Sequence, residues 1–238
     1  MIEHSPKRYA RIAGVLYLLI IAAGLFAEAF VRQRLTVPSD AAATATKILT
    51  HESLLRLGIV ADLATFVCAI PVTLILYVLL RPVNRDLAFL TVLLNLVQDA
   101  IGGMNALSTY APLQLLSGAG YLTVMSREQL QALALLSLKA HEVGFAVALL
   151  FFGVCCVILG YLIYKSGFLP KILGVLLALA GLAYFVNSLV VILAPRTAAT
   201  MFPWIAPVAF VGELSFALWL TVKGINVPKW DTLALESR

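Results

Sequence analysis

Apolar residues run almost unbroken through six stretches of the chain, at about 10–31, 55–80, 87–108, 139–164, 170–193 and 203–223. Each reaches or exceeds the ~20 residues that a helix rising 1.5 Å per residue needs to cross a bilayer core. The runs are continuous rather than alternating, and too long for membrane barrel strands of about ten residues. The pattern predicts an all-α fold: a polytopic membrane bundle of six transmembrane helices, forming a single integral membrane domain over residues 1–238.

The polar breaks between the runs differ in length. Arg81-Pro82-Val83-Asn84-Arg85-Asp86 is a short turn between the second and third helices. Lys165-Ser166-Gly167-Phe168-Leu169-Pro170-Lys171 joins the fourth and fifth, where Gly167 can end one helix and Pro170 can open the next. Segments 32–54 and 109–138 are longer. Pro38-Ser39-Asp40 reads as a helix start before 41–50, and Ser126-Arg127-Glu128-Gln129 as a capping box for a short helix reaching Leu138. Both short helices are expected on the membrane surface at the outer side.

Basic residues set the orientation. An N-in, C-in placement puts Lys7, Arg8, Arg11, Arg81, Arg85, Lys165, Lys171, Lys223 and Lys229 on the cytoplasmic side in short, charge-dense loops. Arg32, Arg34, Lys47, Arg56, Arg127, Lys139 and Arg196 fall outside, spread over longer loops. The first run follows Lys7, Arg8 and Arg11 and so looks superficially like a signal peptide. It is of span length, and is expected to be a retained helix.

Composition agrees with this picture. The chain is 62% hydrophobic and 12% charged, with a mean hydropathy of +0.99. A soluble domain carries about twice that share of charge, so most of the exterior must face lipid. The net charge of +5 does not suggest nucleic acid, because the basic residues flank apolar runs and serve as topology and headgroup anchors. Membrane lipids are the expected partners. Cys68, Cys155 and Cys156 lie within apolar runs without metal-ligand spacing and read as small packing residues. Trp204, Trp219 and Trp230 read as interface or bundle aromatics. Gly14, Gly24, Gly174 and Gly181 read as packing positions, and the glycines at 102, 103, 118 and 120 as packing or kink positions rather than a phosphate loop.

Two hexapeptides look alike: Arg11-Ile12-Ala13-Gly14-Val15-Leu16 and Lys171-Ile172-Leu173-Gly174-Val175-Leu176. Asp62-Leu63-Ala64, Glu142-Val143-Gly144 and Glu213-Leu214-Ser215 share an acid, aliphatic, small order, each with an aromatic soon after. Three parallel helical hairpins would explain this; chance among sequences drawn from few residue types would explain it equally.

Polar residues within the runs are the candidate chemistry. Glu28, Asp62, Asn95, Gln98, Asp99, His141, Glu142, Asn187 and Glu213 all fall in the middle or outer parts of their helices under N-in placement, and the inner halves carry no comparable acids. One acid at a helix centre costs about 2.5–3.5 kcal/mol on insertion, so these groups are expected to face one another or a wet cavity. The expectation is a polar, acidic pocket in the outer half of the bundle, binding or transporting a cation or a small polar or lipid-like ligand. Pro71 is expected to kink the second helix below Asp62. His141, Glu142, Asp62 and Glu213 could supply zinc-type ligands. The sequence has no paired His at i, i+4 and no G-x-S-x-G elbow, so neither catalytic residues nor a cofactor can be assigned. An intramembrane, metal-assisted enzyme using His141 and these carboxylates is the alternative, and a structural or assembly protein whose polar groups only pair helices is the third reading.

Ala10-Arg11-Ile12-Ala13-Gly14-Val15-Leu16-Tyr17, the segment His141-Glu142-Val143-Gly144-Phe145, and the run from Tyr164 to Leu176 carry a resemblance, as does Gly212-Glu213-Leu214-Ser215 with Leu218-Trp219-Leu220. The chain resembles, over nearly its whole length, the uncharacterised family catalogued as domain of unknown function 4386, found in bacterial membrane proteins. The resemblance implies a multi-pass protein of the bacterial cytoplasmic (inner) membrane. It supplies no activity.

Overall fold

The computed structural model describes residues 5–237, with the backbone alone at Ala199 and Phe202. Besides a single 3-10 turn at Gly120–Leu122, eight helices follow in order among the described residues: α1 Pro6–Leu35, α2 Ala41–Thr50, α3 Glu52–Leu80, α4 Arg85–Leu115, α5 Arg127–Ser166, α6 Lys171–Leu193, α7 Pro195–Val222 and α8 Val227–Glu236. Six helices are long and apolar enough to cross a membrane: α1, α3, α4, α5, α6 and the Pro203–Val222 part of α7. They coincide with the six predicted runs, and the described residues contain no strand. The chain is an all-α, multi-pass membrane protein.

The ends of the elements follow local chemistry. The Asp40 side chain accepts from Ala43 N at 2.8 Å and starts α2. Gly167 adopts φ +69 after α5, a conformation that favours glycine, and Pro170 caps α6. Ser126 and Gln129 form the reciprocal capping box, with Ser126 N donating to Gln129 Oε1 at 2.8 Å and Gln129 N to Ser126 Oγ at 3.3 Å. That box opens a 40-residue helix rather than a separate surface helix. No proline or glycine stands between Arg127 and Gly144, so nothing breaks the intrahelical hydrogen bonding. α8, capped by Asn226 onto Lys229 N at 3.3 Å, was not expected from the sequence. It is short, and its apolar residues form no long run.

The chain forms two compact units. One comprises the described residues through Leu19, Val67–Ala100 and those from Ala146 on; the other comprises Ile20–Phe66 and Ile101–Phe145. In the first unit, helices approach on glycine. A Cβ on Gly174 would stand 2.5 Å from Gly160 O, and one on Gly181 2.5 Å from Gly153 O. These pairs lie seven residues, or two turns, apart along both α5 and α6, so small residues form one continuous α5–α6 seam. Gly14 meets Ala217 O and Thr221 on α7 in the same way. Gly24 differs from the expectation: nothing lies within 4 Å of the place its Cβ would take. α8 is tied down by Trp230, whose Nε1 donates to Leu79 O at 2.9 Å.

The second unit has its own apolar cluster, in which Val31 and Leu35 of α1, Ile48 of α2, Leu55 and Ile59 of α3, Leu113 of α4 and Leu138 of α5 are buried. Thr44, itself buried, accepts from Val37 N at 2.9 Å and so fixes the α1–α2 turn.

Candidate functional site

The nine polar positions divide between the two units. In the second unit, α1 passes through a seven-residue π-helical segment, Phe26–Arg32. Its wider turn is closed by Gln33 N–H donating to the Glu28 carbonyl five residues back. Arg32 Nε donates to Glu28 Oε2 at 2.8 Å, and Arg32 Nη1 donates to Asp62 Oδ2. Gln33 Nε2 adds a bond to Glu28 Oε1 at 3.2 Å. The Arg32 and Asp62 side chains are 10% and 13% exposed, against 46% for Glu28. One guanidinium therefore serves two carboxylates, and Asp62 is neutralised from within the protein. Sequence reading placed Arg32 in an outer loop; here it is the centre of an ion cluster. Its spacing of four from Glu28 was the available signal.

His141 is the second polar centre of this unit. Asn105 Nδ2 donates to the His141 carbonyl at 2.9 Å and approaches His141 Nδ1 at 3.0 Å, while Thr109 Oγ1 lies 2.9 Å from the same nitrogen. A carbonyl can only accept, which fixes the orientation of the Asn105 amide, so Nδ1 must also be an acceptor. His141 is thus held as the Nε2–H tautomer. Gly144, one turn along α5, leaves the space for this: a Cβ there would stand 2.3 Å from Asn105 Oδ1. The His141 ring stacks on Phe145 with centroids 6.1 Å apart. Glu142 is exposed, because adjacent helical residues point about 100° apart.

In the first unit the polar groups are less well satisfied. Asn95 Nδ2 donates to Thr73 Oγ1 at 2.5 Å and reaches Asp99 Oδ2 at 3.4 Å, one turn along α4. Glu213 on α7 is 8% exposed. The Tyr17 hydroxyl of α1 and the Tyr184 hydroxyl of α6 face its carboxyl. Tyr17 packs edge-on against Phe216 at 6.2 Å, and Tyr184 lies 5.7 Å from Phe152. Among the described residues, two buried side-chain polar atoms have no hydrogen-bond partner, and both are carboxyl oxygens of this unit: Asp99 Oδ1 and Glu213 Oε1. Consecutive residues of α5 border them, Cys155 near Asp99 and Cys156 near Glu213.

Residues 12–224 match the family described as "Domain of unknown function (DUF4386)". The chain belongs to this family. An uncharacterised protein of Archaeoglobus fulgidus is 28% identical over 167 residues, covering 70% of this chain and 83% of that relative. No solved structure matches.

In this DUF4386 protein the sequence-derived set separates by environment. Glu28 and Asp62 meet through Arg32. Asn95 and Asp99 meet directly. His141 is closed off by Asn105 and Thr109, and Glu213 lies beside two tyrosines with one carboxyl oxygen unpartnered. Gln98 is half-buried and Asn187 buried, next to Ser188. The zinc-type set does not assemble: no group of three or more His, Cys, Asp or Glu side chains suited to a metal ion occurs among the described residues, and Glu142 is turned away from the His141 contacts. The three acids of the apparent repeat also differ, since Asp62 is ion-paired, Glu142 exposed and Glu213 buried among aromatics. Sequence reasoning overlooked Tyr17, Tyr184, Asn105 and Thr109. A tyrosine or threonine in an apolar run gives no signal until its hydroxyl is seen to meet a partner.

Proposed function

We propose that this DUF4386 protein lies N-in in the cytoplasmic membrane and binds a small, singly charged cation, with Glu213 as the residue that receives it. The observation that carries the reading is the unpartnered Oε1 of Glu213, on a side chain more than nine-tenths buried. An ionised carboxylate in apolar surroundings costs several kcal/mol unless it is paired. Arg32 meets that requirement for Asp62, and no comparable cation serves Glu213 among the contacts described. A carboxyl oxygen left open beside two tyrosine hydroxyls suits a proton, or an alkali or ammonium ion coordinated by oxygen and flanked by aromatic faces. Asp99, with its open Oδ1 and with Asn95 beside it, is a second acceptor in the same unit. The Glu28–Arg32–Asp62 and His141–Asn105–Thr109 groups are internally satisfied, and belong to the architecture rather than to the ligand.

The test is thermal unfolding of the detergent-purified protein in sodium, potassium, ammonium and choline chlorides at matched ionic strength, and in choline chloride from pH 5 to pH 9. A ligand at a hundredfold its Kd stabilises by about 2.7 kcal/mol, a midpoint shift of about 5–10 °C for a chain of this length. One small cation, or the proton, should raise the midpoint in the wild type and in Glu142→Gln, and Glu213→Gln should abolish the rise. A wild type indifferent to all four salts and to pH would overturn the reading, as would an unchanged response in Glu213→Gln.

A further inference from the structure

A groove of about 680 Å³ lies in the first unit between the start of α1 and the start of α8. Its lining is ordered along the helix. Lys7, Arg8 and Arg11 come first, all exposed, and Ile12, Val15 and Leu16 follow, one to two turns beyond Arg8. Ile12 and Val15 are 39% and 47% exposed. No acidic side chain lines the groove among the described residues.

The basic end is held in place by the fold. Arg11 Nη2 donates to Val222 O at 3.0 Å, at the end of α7. The glycine turn that follows, Gly224 at φ +68, is so close that a Cβ would stand 3.0 Å from Lys7 Cγ and 3.7 Å from Arg11 Cγ. The stems of both cations are thus packed against a fixed backbone turn while their charged ends stay accessible. A lone basic anchor at a helix end would need none of this.

We propose that this groove is a binding site for an anionic glycerophospholipid of the surrounding bilayer. Its phosphate sits among Lys7, Arg8 and Arg11, and one acyl chain lies along Ile12, Val15 and Leu16. Two features on one helix face support a lipid over a free anion. Three cations without a counter-carboxylate match a phosphate diester whose negative charge no headgroup ammonium offsets. The apolar wall begins at Ile12, next to Arg11 and one turn beyond Arg8, where the acyl chain of a headgroup held at this level must start. The lipid site and the Glu213 site share no residue, so either can fail without the other.

The experiment is lipid retention by the detergent-purified full chain, read by native mass spectrometry with phosphatidylglycerol or phosphatidylcholine added at equal concentration. Phosphatidylglycerol should be retained at least about tenfold more strongly, since each basic side chain near an anionic surface is worth about fivefold. Lys7→Gln/Arg8→Gln should erase most of that preference. Val15→Trp, which fills the apolar wall and leaves every charge in place, should lower retention of both lipids without changing the fold. Inorganic phosphate should not displace the bound lipid. Equal retention of the two lipids overturns the proposal. So does undiminished binding in Val15→Trp, or full displacement by inorganic phosphate, which would mark a site for a free anion. Wild-type helix content and insertion, checked by circular dichroism and by protease access to the termini, establish that each variant is folded before its lipid is counted.

Discussion

Replacing Arg32 by methionine keeps the apolar stem and removes the guanidinium that holds Glu28 and Asp62 together. The two carboxylates then lose very different amounts. Asp62 is 13% exposed and Arg32 10%, so this pair is at the buried end of the scale, where removal of one partner costs about 3–5 kcal/mol. Glu28 is 46% exposed, and its bond to Arg32 belongs with surface pairs worth about 0–1 kcal/mol. Arg32→Met should therefore cost about 3–5 kcal/mol, nearly all of it from stranding Asp62. Glu28→Gln should cost less than about 1 kcal/mol. Asp62→Asn should fall between, because Arg32 keeps Glu28 as a partner. The double variant Arg32→Met/Asp62→Leu should recover most of the loss, since replacing both members of a buried pair by apolar groups is often near neutral. Thermal unfolding in detergent reads this as a midpoint drop of about 6–20 °C for Arg32→Met at ~2–4 °C per kcal/mol. The interaction between the two sites follows from the double-mutant cycle. Glu28→Gln as destabilising as Arg32→Met, or a double variant no more stable than Arg32→Met alone, would show that Arg32 does not hold a buried Asp62.

Two further substitutions probe packing and the histidine network. Gly174→Ala places a Cβ 2.5 Å from Gly160 O and should destabilise by about 1–3 kcal/mol through overpacking, whereas Gly24→Ala enters open space and should be neutral or slightly stabilising; equal midpoints for the two variants would contradict the α5–α6 seam. Asn105→Leu removes the second donor to the His141 carbonyl and one of the two partners of its ring nitrogen and should cost about 1 kcal/mol for the lost hydrogen bonding, with a downfield change in the His141 ring resonances by NMR; an unaltered ring environment would show that Asn105 does not set the tautomer.

The sequence by itself determined the class of object. Six apolar runs of span length leave the backbone one way to satisfy its hydrogen bonds in lipid, which is the helix. The breaks at 81–84 and 167–170, and the caps at Asp40 and Ser126, are local chemistry and were legible for that reason. The positions of ionisable residues within the runs were equally plain. Their partners were not. A helix of period 3.6 scatters neighbours in space across distant parts of the chain, so that Arg32 finds Asp62, and Asn105 finds His141, only after helices have packed. Glu28 and Glu213 look alike in sequence; tertiary structure gives one a guanidinium and leaves the other among tyrosines with an open oxygen. The same holds for glycine, since Gly174 lies in a helix seam and Gly24 beside empty space. Local hydrogen-bonding needs fix the elements, but the environment of a side chain depends on which other helix faces it, and that is decided by packing alone.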